Sequence, residues 1–232
     1  VRRLLLVSNS TNHGQGYLDH VLGEIDDFLG PVRHLLFIPF ALKDREGYGA
    51  RVRDRLAAIG VDVSTLTADE AGRRRVRAAE AVFTGGGNTF RLLKTLQAAK
   101  ILPILRERGL GGMPYLGSSA GTNIAAPTIR TTNDMPIVQP ASFKALGLVP
   151  FQINPHYLDA DPSSTHMGET REQRLREFHE ENEVPVVGLR EGAWLRIEDG
   201  RATLGGTRGA RIFRREEEPE ERGTGDSLDD LL

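Results

Sequence analysis

Short apolar runs alternate along this chain with longer stretches in which apolar positions recur every three or four residues. The short runs, at 4–8, 34–38, 61–66, 81–84 and 114–117, are β-branched or leucine-rich, as in strands. The longer ones, at 17–29, 48–59, 70–79 and 89–108, have helical spacing. The last should break near Lys100 or Pro103, because a proline ring clashes inside a helix and removes a donor. Strand and helix in this alternation predict an α/β fold, a single domain on a mostly parallel sheet flanked by helices.

After Pro127 the rhythm changes to proline-punctuated loops, followed by a charged helix at about 169–181. Strand composition returns at 186–189, 193–198 and 202–204, and Asp199-Gly200 between the last two is a turn pair that predicts a C-terminal β hairpin. Beyond Phe213 the string RREEEPEERGTGDSLDDLL is charged and lacks aromatics. It is expected to be a solvated, disordered acidic tail, which divides the chain into a folded domain, 1–213, and a tail, 214–232.

Composition narrows the function classes. At 232 residues and 39% apolar content, the chain can bury one sizeable core without needing two domains. Net charge is −2, with no basic stripe interleaved with aromatics, so nucleic acid is not an expected partner. Without cysteine there is no disulfide, no thiolate metal site and no cysteine nucleophile. The first apolar run is far too short for a membrane span or signal peptide, so a soluble cytoplasmic protein without a membrane partner is expected, as monomer or homodimer.

The chemistry starts at 117–121, where Gly117, Ser118, Ser119, Ala120 and Gly121 form a G-x-S-x-G nucleophile elbow between the 114–117 strand and a small-residue helical stretch. Such a turn forces the serine into sparse backbone angles and brings strand and helix too close for larger side chains than glycine. Ser119 is the candidate nucleophile; Ser118, at the variable position, is its competitor. The Ala120 amide, at the positive end of the following helix, would supply half of an oxyanion hole. A second cluster, Gly85, Gly86, Gly87, Asn88 and Thr89, follows the 81–84 strand on the same sheet edge. Gly87 is the candidate second donor, although the cluster also reads as a plain turn or a phosphate loop lacking the lysine of a Walker sequence.

A serine nucleophile needs a base. Five of the six histidines fall in polar loops, at a strand start or on helix faces; His156 ends a short apolar run after Asn154 and Pro155, whose fixed geometry would aim the imidazole. Glu191, in a tight turn after the 186–189 strand, is the candidate acid to orient that imidazole. The chain order Ser, His, Glu differs from the Ser, acid, His order of the α/β-hydrolases and disfavours them.

Specific strings then carry a resemblance from residue 4 to about 213: LLLVSNST (4–11), FIPFA (37–41), TGGGNTFRLLK (84–94), GSSAGTN (117–123), TIRTTNDMPIV (128–138), QINPH (152–156), GETREQR (168–174) and GLREGAW (188–194). In these the chain resembles peptidase E, the bacterial aspartyl dipeptidase family, whose fold is similar to class I glutamine amidotransferases. The resemblance implies a serine peptidase cleaving after an amino-terminal aspartate, with Ser119, His156 and Glu191 as triad, Gly87 and Ala120 as oxyanion hole, and no metal or organic cofactor. It also implies a cation for the aspartate side chain, for which Arg171 is the candidate and Arg130 the runner-up. Asn88, Thr131 and Asp134 offer further groups for substrate. The polar loop 157–167, containing Pro162, is a candidate lid. Ser118 and Arg190 depart from the family pattern, which has tryptophan and proline there. Three alternatives stand beside this reading: a cyanophycinase-like hydrolase of β-aspartyl peptides, a non-catalytic binder of acidic peptides, and a nucleotide-binding glycine loop.

Overall fold

A computed structural model describes residues 2–161, 163 and 168–232. Strand β1 (Leu4–Val7) lies deep within a seven-stranded sheet, because all four of its side chains are apolar and both sheet faces are covered. Helix α1 (Leu22–Leu29) leads to β2 (His34–Ile38), α2 (Arg45–Leu56) to β3 (Asp62–Thr65), and α3 (Glu70–Ala78) to β4 (Ala81–Thr84). Two helices, α4 (Thr89–Ala98) and α5 (Leu102–Leu110), precede β5 (Tyr115–Ser118), and the short α6 (Ala120–Asn123) follows it. The expected helix break is present: Lys100 has positive φ and Pro103 lies in the first turn of α5.

Beyond a long loop come β6 (Gln152–Tyr157), α7 (Arg171–Glu181), β7 (Val186–Arg190), β8 (Ala193–Glu198), β9 (Arg201–Gly206), β10 (Ala210–Phe213) and β11 (Glu220–Arg222). The large sheet runs β3-β2-β4-β5-β1-β8-β9, parallel from β3 to β1 and antiparallel at β8 and β9, which form the expected hairpin. A second, four-stranded sheet runs β11-β10-β7-β6. Alternate residues of β1 serve opposite faces: Leu5 and Val7 pack with α1 and α2, Leu4 and Leu6 with α4, α5 and the inner side of the small sheet.

Two expectations need correction. Residues 152–157 form a strand where the sequence suggested only a short apolar run, and Pro155 is accommodated because β6 is an edge strand, where a missing donor costs no ladder bond. The tail is ordered: β11 pairs with β10, and Leu228 and Leu231 are buried in the main core. Its charges are of mixed sign and neutralise one another locally. Glu220 pairs with Arg214 and Arg222, Glu221 with Arg190 and Arg211, and Asp230 with Arg214 and Arg222, so the self-repulsion that keeps a like-charged tail open is absent.

Candidate active site

Ser119 sits between β5 and α6 with φ 51° and ψ −107°, a strained conformation for a residue with a side chain. The surroundings over-determine it. Its amide donates to Val7 O at 3.0 Å, Thr122 Oγ1 donates to the same carbonyl at 2.6 Å, and Tyr115 Oη donates to Gly121 O at 2.6 Å. The flanking glycines are required by contact: an added Cβ at Gly117 would lie 2.7 Å from the Gly121 backbone, and one at Gly121 would collide with Thr84 O. Ser118, by contrast, is fully buried in β5, so it cannot meet a substrate.

The elbow aims Ser119 Oγ at His156 Nε2, 2.8 Å away, and His156 Nδ1 lies 2.7 Å from Glu191 Oε1. His156 comes from the small sheet and Glu191 from the turn that joins it to the large one. His156 occupies a break in the β6–β7 register between Pro155 and Tyr157, and its φ is 56°. A bulge of this kind re-aims a side chain that a regular strand would place elsewhere. Glu191 lies in the turn between β7 and β8, where the Gly192 amide donates to Asn9 Oδ1 at 2.7 Å. Ser8 Oγ accepts from the His156 amide at 2.9 Å and donates to Leu189 O at 2.8 Å. Sequence reasoning missed Ser8 and Asn9, whose only signal was membership of the matched string at 4–11.

The glycine loop lies against the serine, since an added Cβ at Gly86 would stand 3.1 Å from Ser119 Cβ. Among the described residues, the amides of Gly87 and Ala120 have no protein acceptor. Asn88 caps α4 through its side-chain oxygen, which accepts from the Arg91 amide at 3.0 Å, and its Nδ2 holds Met135 O at 2.9 Å. Thr131 is buried with its hydroxyl on Ile153 O. Asp134 Oδ2 accepts from the Thr89 amide at 2.7 Å and from the Thr132 hydroxyl at 3.2 Å, while its Oδ1 has no partner among the described residues.

The two candidate cations lie at opposite ends of α7. Arg130 reaches Asn182, just past its C-terminal end, at 3.3 Å; Arg171 opens the helix, about 16 Å away by helical rise. Arg171 faces a cavity of about 370 Å³ that also touches Leu158, two residues beyond His156. It has no ion-pair partner among the described residues, and burial together with the neighbouring Arg174 lowers its pKa. Asp159, Asp161 and Glu169 also line that cavity, and a carboxylate paired with Arg171 would offset both effects by favouring the charged guanidinium. Of the candidate lid, residues 162 and 164–167, with His166, lie outside the described residues. Its first part is anchored: Arg190 makes two hydrogen bonds to Asp159, at 2.8 and 2.7 Å, and two to Glu221, at 2.9 and 3.1 Å, over the ring of Tyr157.

Comparison with known proteins agrees with this architecture. The model of peptidase family S51 matches residues 4–205. A protein of Streptomyces coelicolor named peptidase E is 58% identical over 229 residues, covering 99% of this chain and 94% of that protein. A Drosophila melanogaster protein named "Probable alpha-aspartyl dipeptidase" is 49% identical over 216 residues, covering 92% and 90%. Among solved structures, a peptidase from an acI-B1 Actinobacterium superposes with a TM-score of 0.75 at 16% identity, covering 98% of this chain and 96% of that one, which speaks to the fold alone.

Proposed function

The chain belongs to peptidase family S51, and from that premise we propose that it is a serine-type dipeptidase that hydrolyses α-linked dipeptides with an amino-terminal aspartate. One arrangement carries the reading: hydroxyl, imidazole and carboxylate in line at 2.8 and 2.7 Å, beside two amides with no acceptor among the described residues. The name borne by the relative in Drosophila supports the substrate class.

His156 takes the proton of Ser119 as Oγ attacks the carbonyl after aspartate, and Glu191 holds the imidazolium that forms. The tetrahedral oxyanion is received by the amides of Gly87 and Ala120, each contributing about 3–4 kcal/mol to transition-state stabilisation. The C–N bond then breaks, His156 returns its proton to the departing amine, and an aspartyl ester remains on Ser119. Water deprotonated by the same imidazole attacks the ester, releases aspartate and restores the hydroxyl. No step of this sequence needs a metal or organic cofactor. Arg171 grips the aspartate side chain and Asp134 Oδ1 takes the free α-amine. A cytoplasmic setting, which the lack of cysteine fits, belongs to the same proposal.

The test is hydrolysis of Asp-Leu beside Glu-Leu, Asn-Leu, β-linked Asp-Leu and amino-acetylated Asp-Leu. Cleavage confined to α-linked Asp-Leu is the expected result. Preference for the β-linked isomer would replace this reading with a cyanophycinase-like one, and a folded protein that cleaves none of them would overturn it. Arg171→Ala should raise KM for Asp-Leu at least tenfold, on the order of the 1.5–3 kcal/mol of a charge-assisted hydrogen bond. An unchanged KM would remove Arg171 from the carboxylate site.

A further inference from the structure

We propose that Ser8 is a positioning residue whose hydroxyl is inserted into the β6–β7 ladder as a wedge that holds the bulge and thereby aims His156. This rests on the reading of His156 as the base of Ser119.

In a regular parallel pair the amide of one strand meets a carbonyl of its neighbour directly. Here the register runs Pro155 with Leu189 and then Tyr157 with Arg190, so His156 is the extra residue on β6. Its amide has lost its place in the ladder, and an unpaired buried amide or carbonyl is costly. Ser8 Oγ stands between the two strands at the break, accepting from the His156 amide at 2.9 Å and donating to Leu189 O at 2.8 Å. A hydroxyl can do both at once; alanine does neither, and a carboxylate can only accept.

The wedge comes from the other sheet. Ser8 follows β1, is fully buried, and its own amide is fixed to Ala193 O at 3.0 Å. Asn9, the next residue, accepts from the Gly192 amide at 2.7 Å, beside Glu191. The same end of β1 also receives the Ser119 amide on Val7 O. Three consecutive residues therefore set the backbone positions of nucleophile, base and acid. Ser8 touches none of the reacting atoms and acts through the position of His156.

Without the hydroxyl, the cheapest repair is to close the break by pairing His156 with Leu189 directly, which turns the imidazole away from Ser119. Ser8→Ala should lower kcat for Asp-Leu about 100-fold, the scale of an ångström misplacement in a catalytic pair, with KM unchanged. Ser8→Thr, which keeps the hydroxyl, should restore most of that loss. Proton NMR supplies a readout that needs no substrate: the low-field imidazole proton between His156 and Glu191, assigned by its absence in His156→Gln, should be lost in Ser8→Ala and retained in Ser8→Thr. If Ser8→Ala does not fold, Ser8→Cys, whose thiol donates and accepts only weakly, replaces it with the same expectations. A folded Ser8→Ala or Ser8→Cys with wild-type kcat and the proton in place would overturn the assignment. Absence of Asp-Leu hydrolysis by the wild type would strike the dipeptidase reading instead, and the NMR comparison would still decide the role of Ser8.

Discussion

Ser119 has a backbone conformation that few residues with side chains adopt, and its neighbours show why it persists: three hydrogen bonds and two glycine contacts leave the turn no alternative. Replacing its hydroxyl should therefore leave the fold intact. Ser119→Ala is expected to keep the wild-type circular dichroism and melting temperature while kcat for Asp-Leu falls by a factor on the order of 10⁶. Gly121→Ala should do the reverse kind of damage, because its methyl collides with the Thr84 carbonyl: about 1–3 kcal/mol of stability lost in urea denaturation, with activity falling alongside. At this scale the sequence was most legible where one local pattern sets the geometry. Gly117 to Gly121 announces an elbow, and Asn154-Pro155 singles out His156. Ser8 and Asn9 were illegible for the opposite reason. Their partners lie 148 and 183 residues away, and a serine or asparagine ending a strand has no local signature of such contacts.

Elements carry a second set of consequences, centred on β11. Through Glu221 it grips Arg190, the residue before Glu191, while Asp159 takes the other face of the same guanidinium three residues beyond His156. Hydrogen bonding to Arg190 holds the Asp159 carboxyl below its usual pKa. Its folded pKa thus lies below the unfolded value of about 3.9, so the stability it contributes is present above that value and disappears as pH falls through the folded pKa. Asp159→Asn should lower stability at neutral pH and flatten its decline below about pH 4, as read from urea midpoints. Leu228→Ala tests the anchoring of the same segment. Removing this fully buried side chain should cost about 2–5 kcal/mol, whereas in a disordered tail it would cost nothing. Charge density alone misled here, since it does not say whether opposite charges meet. The strands β1, β2 and β4 of the first half were legible because each is a short apolar run, buried almost throughout; β10 and β11 were not, because Ala210–Phe213 and Glu220–Arg222 contain charged residues and form no continuous apolar run.

At the scale of the whole molecule, alternating strands and helices revealed a parallel sheet, yet nothing local revealed that β6 and β7 would leave it for a second one. That division is decided by pairing between distant segments, and it gives the candidate site its form, with Ser119 after a strand of the large sheet, His156 on the small one and Glu191 in the turn that joins the two. The deep placement of β1 has a kinetic consequence. Its two neighbours are β5 and β8, so Leu4–Val7 gains no sheet partner until 115–118 and 193–198 have arrived. Contacts of such sequence separation make for high contact order and slow folding. The single tryptophan, Trp194, pairs with Val7 in that last junction and is a built-in clock for it. On dilution from urea, helical circular dichroism should recover first, and Trp194 fluorescence and peptide hydrolysis should return later and together, since β1 also delivers Ser8 to His156 and Asn9 to the turn that holds Glu191.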